Sequence, residues 1–367
     1  MNLAIFVVGT ALAIIAARPQ AGRALQWAAT IALFGMMIVA PLITGSTAAL
    51  FDALTAMCIA YGWNVIGGFT GYAAFGNVAY LGLGAFVAAG FMSRQPGHLA
   101  WPWFVGIPVA VVITSLVATA VGIVVLRLRG HYFSIATLGV AVAMPEVIQW
   151  DAAFGSRGLI RNFFGGGLPL NFPLPEDIRV GDLRLDADRF FLYGLALGTA
   201  CIGWGLTWFL RRSKFGYGLV AIRENEEAAE VMGVNTWASK VIAYTLSAAL
   251  AALGGAVIGY RLTNMTTEAE ALFSTTNNLQ MIIICLIGGV GSLWGPWIGA
   301  FILFGIQEAV RTLSGSSQDI LAWQGVIFAF LVVLVVLFLP RGVMQFVQSR
   351  TRFTLQLFVR NLTANRV

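Results

Sequence analysis

Six stretches of this chain run for about twenty residues without a charged side chain: 24–43, 73–92, 103–126, 191–210, 241–260 and 320–339. A hydrocarbon layer about 30 Å thick is crossed by roughly 20 helical residues rising about 1.5 Å each. Runs of that length, apolar on every face, predict membrane-spanning helices, whereas barrel strands would alternate over short segments. Residues 48–67 and 131–150 reach the same length with one acid each, Asp52 and Glu146. A shorter run, 3–17, ends at Arg18. The apolar stretch 278–311 is interrupted by G-G-V-G-S-L-W-G-P at 288–296. A continuous helix would hardly hold so many glycines and a proline, so two short helices joined by a tight glycine turn are expected. The expected fold is all-α, a polytopic membrane protein with about ten or eleven transmembrane helical segments. Some of these are broken or re-entrant, and all belong to a single transmembrane domain over residues 1–367.

Charge gives the orientation. Mean hydropathy is +0.83 and only 10% of residues are charged, against about a quarter in soluble proteins. Cytoplasmic loops hold an excess of Lys and Arg. Residues 18–23, 127–130, 211–240 and 341–367 carry 14 of the 22 basic residues, and span parity puts these segments on one side. The amino terminus is then expected outside and the carboxyl terminus in the cytoplasm. The uncharged start M-N-L-A-I-F-V-V lacks the basic region of a secretory signal, so 1–23 is expected to be a retained extra helix. Residues 151–190 form an external loop stiffened by Pro169, Pro173 and Pro175 with mixed charge. It suits either docking of a soluble protein or a solvated lid. The tail 341–367 interleaves Arg350, Arg352, Arg360 and Arg366 with Phe346, Phe353, Leu355 and Phe358, as a helix on the inner membrane surface would. The net charge of +6 sits where this topology demands it, which argues against a nucleic-acid partner. Cys58, Cys201 and Cys285 are single and distant, so packed small residues are expected there and no metal site.

The loop 211–240 holds the densest charge in the chain. From Arg223 to Met232 there is no Gly or Pro, and Gly233 follows as a C-terminal cap. A short exposed helix is expected over 223–232, with Ala228 and Ala229 offering a small surface. A charged helix that merely caps the membrane edge would look the same. The motif E-A-A-x-x-x-G, at Glu227, Ala228, Ala229 and Gly233, resembles the cytoplasmic coupling motif of ATP-binding-cassette importer permeases. The longer pattern G-x-x-L-x-A-I-R-x-N-E-x-x-A-x-x-x-G from Gly216 to Gly233 is similar to that of the branched-chain amino acid permease family, M-type subunit. Three more segments resemble that family in the same order: G-F-T-G-Y-A-A-F-G-N-V-A-Y-L-G-L-G-A-F at 68–86, R-L-R-G-H-Y-F-S-I-A-T-L-G at 127–139, and I-G-G-V-G-S-L-W-G-P-W-I-G-A at 287–300.

The resemblance implies a type II-like importer permease in the bacterial inner membrane, forming the path for branched-chain or related amino acids. It implies a second homologous permease subunit, two ATPase subunits that use ATP and Mg, and an external solute-binding protein as partners. It also implies that the chain itself binds no cofactor. Arg223, Asn225, Glu226, Glu227, Ala228, Ala229 and Gly233 would form the coupling contact, with alanines seated in a partner's groove. Asn77 stands where the family usually has His, Ala74 where it has Ser, and Gln280 where many members have Glu. The solute therefore stays open among amino acids, urea or amides, and aromatic or small organic acids.

Candidates for the translocation path are Tyr72, Gly76, Asn77, Glu146, Gln280, Gly288, Gly289 and Gly291. A carboxylate at mid-membrane costs about 2.5–3.5 kcal/mol on insertion scales, so Glu146 should face the bundle or water, or sit at the interface. The glycine segments 67–84 and 288–295 either line a cavity or allow close packing. The pairs Gly194/Gly198, Gly255/Gly259 and Gly295/Gly299 have the spacing of helix contacts. Glu308 and Arg311 have the spacing of a local ion pair. No Walker loop is present, and His98 and His131 alone make no catalytic or metal constellation. The competing reading is a secondary transporter or channel for a small polar solute, driven by an ion gradient. Such proteins usually keep intramembrane charges, and here the spans offer few beyond Glu146 and Glu308.

Overall fold

A computed structural model describes residues 2–19, 22–44, 46–92, 102–128, 130–149, 178–180, 183–185, 187–261, 272–314, 330 and 342–348. Six described helices are long and apolar enough to cross a membrane: 23–43, 48–69, 103–125, 131–148, 189–210 and 236–261. The expected span 320–339, most of the loop 151–190 and most of the tail 341–367 lie outside the described residues. Contacts divide the chain into two compact units, one of residues 1–49 with 283–367 and one of residues 50–282.

The first unit contains α1 (Asn2–Ala17), α2 (Arg23–Ile43), the end of α11 (Thr275–Gly288), α12 (Gly295–Ser314) and the short α13 (Val343–Gln348). Aromatic rings fill it: Phe6 meets Phe301 edge to face at 5.7 Å, and Trp297 meets Phe301 at 5.3 Å and Phe34 at 5.5 Å. The interruption at 288–296 is the expected turn between two helices, with Gly289 and Gly291 at φ +118° and +74°. A side chain at Gly295 or Gly299 would run into the Gly289 or Ile284 carbonyl, so that glycine pair does pack. Glu308 accepts a hydrogen bond from Asn2 Nδ2 at 3.1 Å, a partner far away in sequence.

The second unit is built around α10 (Thr236–Arg261), whose inner residues are mostly buried. Around it stand α3 (Ala48–Trp63), extended by a widened π-type turn over Asn64–Phe69, then α4 (Asn77–Met92), α5 (Trp103–Val125), α6 (His131–Gln149) and α7 (Ala187–Leu210). In lipid, helices associate through close contact of small residues and through polar pairs, and both devices occur here. A Cβ on Gly84 would lie 2.6 Å from the Ala252 Cα, and one on Gly259 2.9 Å from the Ala85 carbonyl oxygen. Gly255 is pressed against the Leu81 carbonyl. The Tyr80 and Tyr244 hydroxyls bond at 2.9 Å, as do those of Thr119 and Thr245. The expected pair Gly194/Gly198 behaves differently: nothing lies within 4 Å of a Cβ at either, and both are exposed on α7.

Three expectations on local structure are corrected. The span expected at 73–92 becomes helical only at Asn77, because residues 71–76 are held out of helix by side chains from neighbouring helices. The expected helix 223–232 is two helices, α8 (Lys214–Glu224) and α9 (Glu226–Val231), broken where Asn225 adopts an extended φ of −161°. Among the described residues the all-α expectation meets one exception, a hairpin of two three-residue strands, β1 (Ile178–Val180) and β2 (Leu183–Leu185), in the long loop before α7.

Candidate functional site

The loop between α7 and α10 folds by capping. The Ser213 hydroxyl accepts from the Gly216 N–H at 3.0 Å and starts α8, whose buried Gly216, Leu219 and Ile222 form its inward face. Asn225 then ends α8 and starts α9, its Oδ1 accepting from the Ala228 N–H at 3.0 Å. Glu226 and Glu227 follow in the first turn, where the helix dipole favours negative charge. At the far end the Val234 N–H reaches the Ala229 carbonyl at 3.0 Å and the Gly233 N–H reaches the Glu230 carbonyl at 2.9 Å. This is a Schellman closure, and Gly233 at φ +89° supplies its left-handed residue. Asn235 begins the next helix by capping the Ala238 N–H at 3.0 Å. A segment too short to be helical alone is thereby fixed at both ends.

 

The exposed surface of α9 differs from the one expected. Ala229 is only 4% exposed and faces its own chain, whereas Val231 and Met232 are 87% and 83% exposed. Glu227 and Ala228 are also exposed. An outward patch of Ala228, Val231 and Met232 therefore replaces the expected pair of alanines. These two apolar side chains were missed because a Val and a Met at the end of a charged run look like ordinary inward-facing residues.

Behind α8 and α9, the loop grips the segment that joins α3 to α4. Arg223 donates from Nη1 to the Gly68 carbonyl at 3.0 Å and pairs with Glu224 at 2.9 Å. Gly71 sits at φ +76°, and a Cβ there would come within 2.9 Å of the Arg223 Cγ. Glu226 receives two hydrogen bonds, one from the Tyr72 hydroxyl to Oε2 and one from Lys240 Nζ to Oε1 at 2.6 Å. Lys240 also donates to the Tyr72 hydroxyl at 3.2 Å, and it is only 3% exposed. Lys240 escaped the sequence reading because a single lysine near the edge of a span counts there only as one more basic loop charge.

From Tyr72 to Asn77 the chain has no regular secondary structure. Away from water every backbone polar group needs a partner, and here side chains supply several. Ser134 Oγ donates to the Ala73 carbonyl at 2.8 Å, Trp63 Nε1 to the Ala74 carbonyl at 2.8 Å, and Asn278 Nδ2 to the Phe75 carbonyl at 2.6 Å. The Phe75 N–H donates to Thr137 Oγ1 at 3.0 Å. A Cβ on Gly76 would stand 2.8 Å from the Thr137 carbonyl oxygen, so only glycine fits this close approach. Asn77 is fully buried, and its Nδ2 donates to Ser247 Oγ at 2.9 Å. The Oδ1 atoms of Asn77 and Asn278 are both buried without a hydrogen-bond partner.

The candidates named from sequence thus separate. Tyr72, Gly76 and Asn77 lie along one segment, with Tyr72 joined to Glu226 at one end and Asn77 joined to α10 at the other. Gln280 is half-buried on α11, two residues beyond Asn278. Glu146 is exposed in the last turn of α6 and does not face the interior of its unit. Gly288, Gly289 and Gly291 belong to the other compact unit. Among the described residues no group of three or more His, Cys, Asp or Glu is placed to hold a metal ion.

A family model described as "Branched-chain amino acid transport system / permease component" matches residues 45–337. The chain is 28% identical over 239 residues to the autoinducer 2 import system permease protein LsrC of Escherichia coli K12 / DH10B, covering 61% of this chain and 63% of that one. It is 26% identical over 300 residues to the high-affinity branched-chain amino acid transport system permease protein LivM of Escherichia coli K12, covering 77% and 66%. It is 28% identical over 242 residues to the galactose/methyl galactoside import permease protein MglC of Salmonella typhimurium LT2, covering 60% and 66%. The chain thus spans a little under two thirds of the length of these curated relatives. No solved structure matches it.

Proposed function

Because this chain belongs to the permease-component family of branched-chain amino acid transport systems, we propose that it is a membrane-spanning subunit of an ATP-driven importer. Its proposed partners are a second homologous permease subunit, two ATPase subunits and an external solute-binding protein. The observation that carries this reading is α9: a helix capped at both ends that holds Val231 and Met232 away from its own chain. An apolar tip flanked by Glu227 and Glu230 has the chemistry of a helix that docks into a groove on another protein. ATP and Mg would act on the ATPase subunits, and the force of nucleotide-driven closure would reach this chain through α9.

Two observations support an orientation with the amino terminus outside and the carboxyl terminus in the cytoplasm. Gly68, Tyr72, Arg223, Glu226 and Lys240 converge at one end of the second unit, and Asp52 meets Arg261 at 2.5 Å where α10 ends. The loop rich in basic residues lies at the same end of the second unit as the α3–α4 junction, which supports the span parity read from hydropathy. About ten or eleven spans in all remain our reading of the hydropathy.

The proposed solute is a branched-chain or related amino acid, or another small polar molecule. Relatives named for autoinducer 2 and for galactose favour keeping the wider class. Asn77 and Asn278 suit a solute that donates hydrogen bonds, since both keep a free amide oxygen. The test is purification of the chain expressed with its genomic neighbours, followed by uptake assays in proteoliposomes. Co-elution with an ATPase and uptake that needs ATP are expected. Uptake under an ion gradient alone, with no ATPase bound, would establish the secondary-transporter reading instead.

A further inference from the structure

Lys240 is a residue that neither the capping of α9 nor a docking surface requires. It stands one turn into α10 and is almost fully buried, yet it carries a charge. A buried ammonium is tolerated only when paired and hydrogen-bonded, and here both of its partners come from elements that do not touch each other in sequence. Glu226 opens α9, and Tyr72 opens the non-helical segment that ends at Asn77. The three polar groups close a triangle in which each side chain bonds the other two. Removing any member leaves the others short of a partner at a site with little water.

We infer that Lys240, Glu226 and Tyr72 form a relay that ties the position of α9 to the conformation of residues 71–76, with Lys240 as the positioning residue. This rests on the importer reading given above. Three features make the tie stiff. Arg223 holds the Gly68 carbonyl at 3.0 Å, so α8 moves with the same junction. The segment 71–76 contains no helix that could absorb a displacement by bending. At its far end Asn77 is bonded to Ser247, on the same helix as Lys240 but two turns further along. A push on α9 therefore displaces Tyr72 relative to Asn77, and the bonds from Ser134, Thr137, Trp63 and Asn278 are those that must be exchanged. The relay joins the nucleotide-driven motion to a stretch of chain that leads into Asn77 and accepts the Asn278 amide at Phe75, the two side chains with unpartnered oxygens.

The test uses the complete complex in proteoliposomes, with Ala73→Cys labelled by a maleimide in a Cys201→Ala background. In the otherwise unaltered complex, adding ATP with vanadate should change the labelling rate of that cysteine several-fold. Lys240→Met should abolish the change and lower uptake of leucine about tenfold, the size of an ordinary coupling free energy, while ATP hydrolysis stays within about twofold. Tyr72→Phe should give an intermediate effect. The exchanged pair Glu226→Lys with Lys240→Glu should restore much of the nucleotide response, which a merely unfolded loop would not. The relay is overturned if Lys240→Met keeps the full response, or if the unaltered complex hydrolyses ATP without any change at residue 73. Failure of an ATPase to associate at all would instead remove the importer reading on which the relay rests.

Discussion

Asn77 and Asn278 show what single side chains decide here. A buried acceptor without a partner costs about 1–3 kcal/mol, and native proteins carry few of them unless something uses them. Replacing Asn77 by Leu removes the unpartnered oxygen together with the bond to Ser247. The two effects oppose, so the unfolding free energy of the purified chain should change by only about 1 kcal/mol. Uptake of the solute carried by the partner binding protein should nevertheless fall by about tenfold, a loss equal to one hydrogen bond of about 1.4 kcal/mol. Unchanged uptake would show that these amides serve packing alone. At this scale the sequence was partly legible. Asn77 was visible as a polar residue in an apolar run, but Asn278 and Ser247 were not tied to it, because they lie 201 and 170 positions away. Lys240 was hidden for a different reason: nothing in its neighbourhood in sequence shows that it is buried.

At the level of helices, apolar length was a sound guide to where spans lie and a poor one to where they break. The segment 71–76 is as apolar as any helix, and its non-helical form depends on donors and acceptors from α3, α6 and α11 that periodicity does not report. The break at Asn225 had a local signal, an amide followed by two glutamates, which is the pattern of a helix start. Glycine pairs divide in the same way. Gly255→Val should press α4 away from α10 through the Leu81 carbonyl and destabilise the chain by about 1–3 kcal/mol. Gly194→Ala adds its methyl to open space and should raise helix stability by about 0.5–1 kcal/mol. Thermal unfolding of the two variants in detergent checks both, and equal shifts would contradict the packing described for α4 and α10.

For the whole molecule, the exposed face of α6 matters most. Tyr132, Ile135 and Val142 are 73%, 66% and 65% exposed, and Glu146 continues that face. Lipid does not accept a carboxylate cheaply, so a protein surface or a water-filled path should cover it in the assembled transporter. Val142→Cys should therefore crosslink to the proposed second permease subunit in active complexes, and absence of that crosslink would place such a subunit elsewhere. The family was legible because the matching motifs lie along most of the chain, whereas the solute was not, since none of those motifs names one. One last feature follows from α10 itself. It carries a cation near each end, Lys240 and Arg261, about 30 Å apart along the axis. The first pairs with Glu226 at side-chain exposures of 4% and 19%, the second with Asp52 at 40% and 48%. Dissolved ions weaken attraction between charges that water can reach and leave sheltered ones nearly intact. Raising the ionic strength should therefore unfasten the Asp52 clasp while the Glu226 clasp holds, leaving that end of the long helix to its glycine contacts with α4.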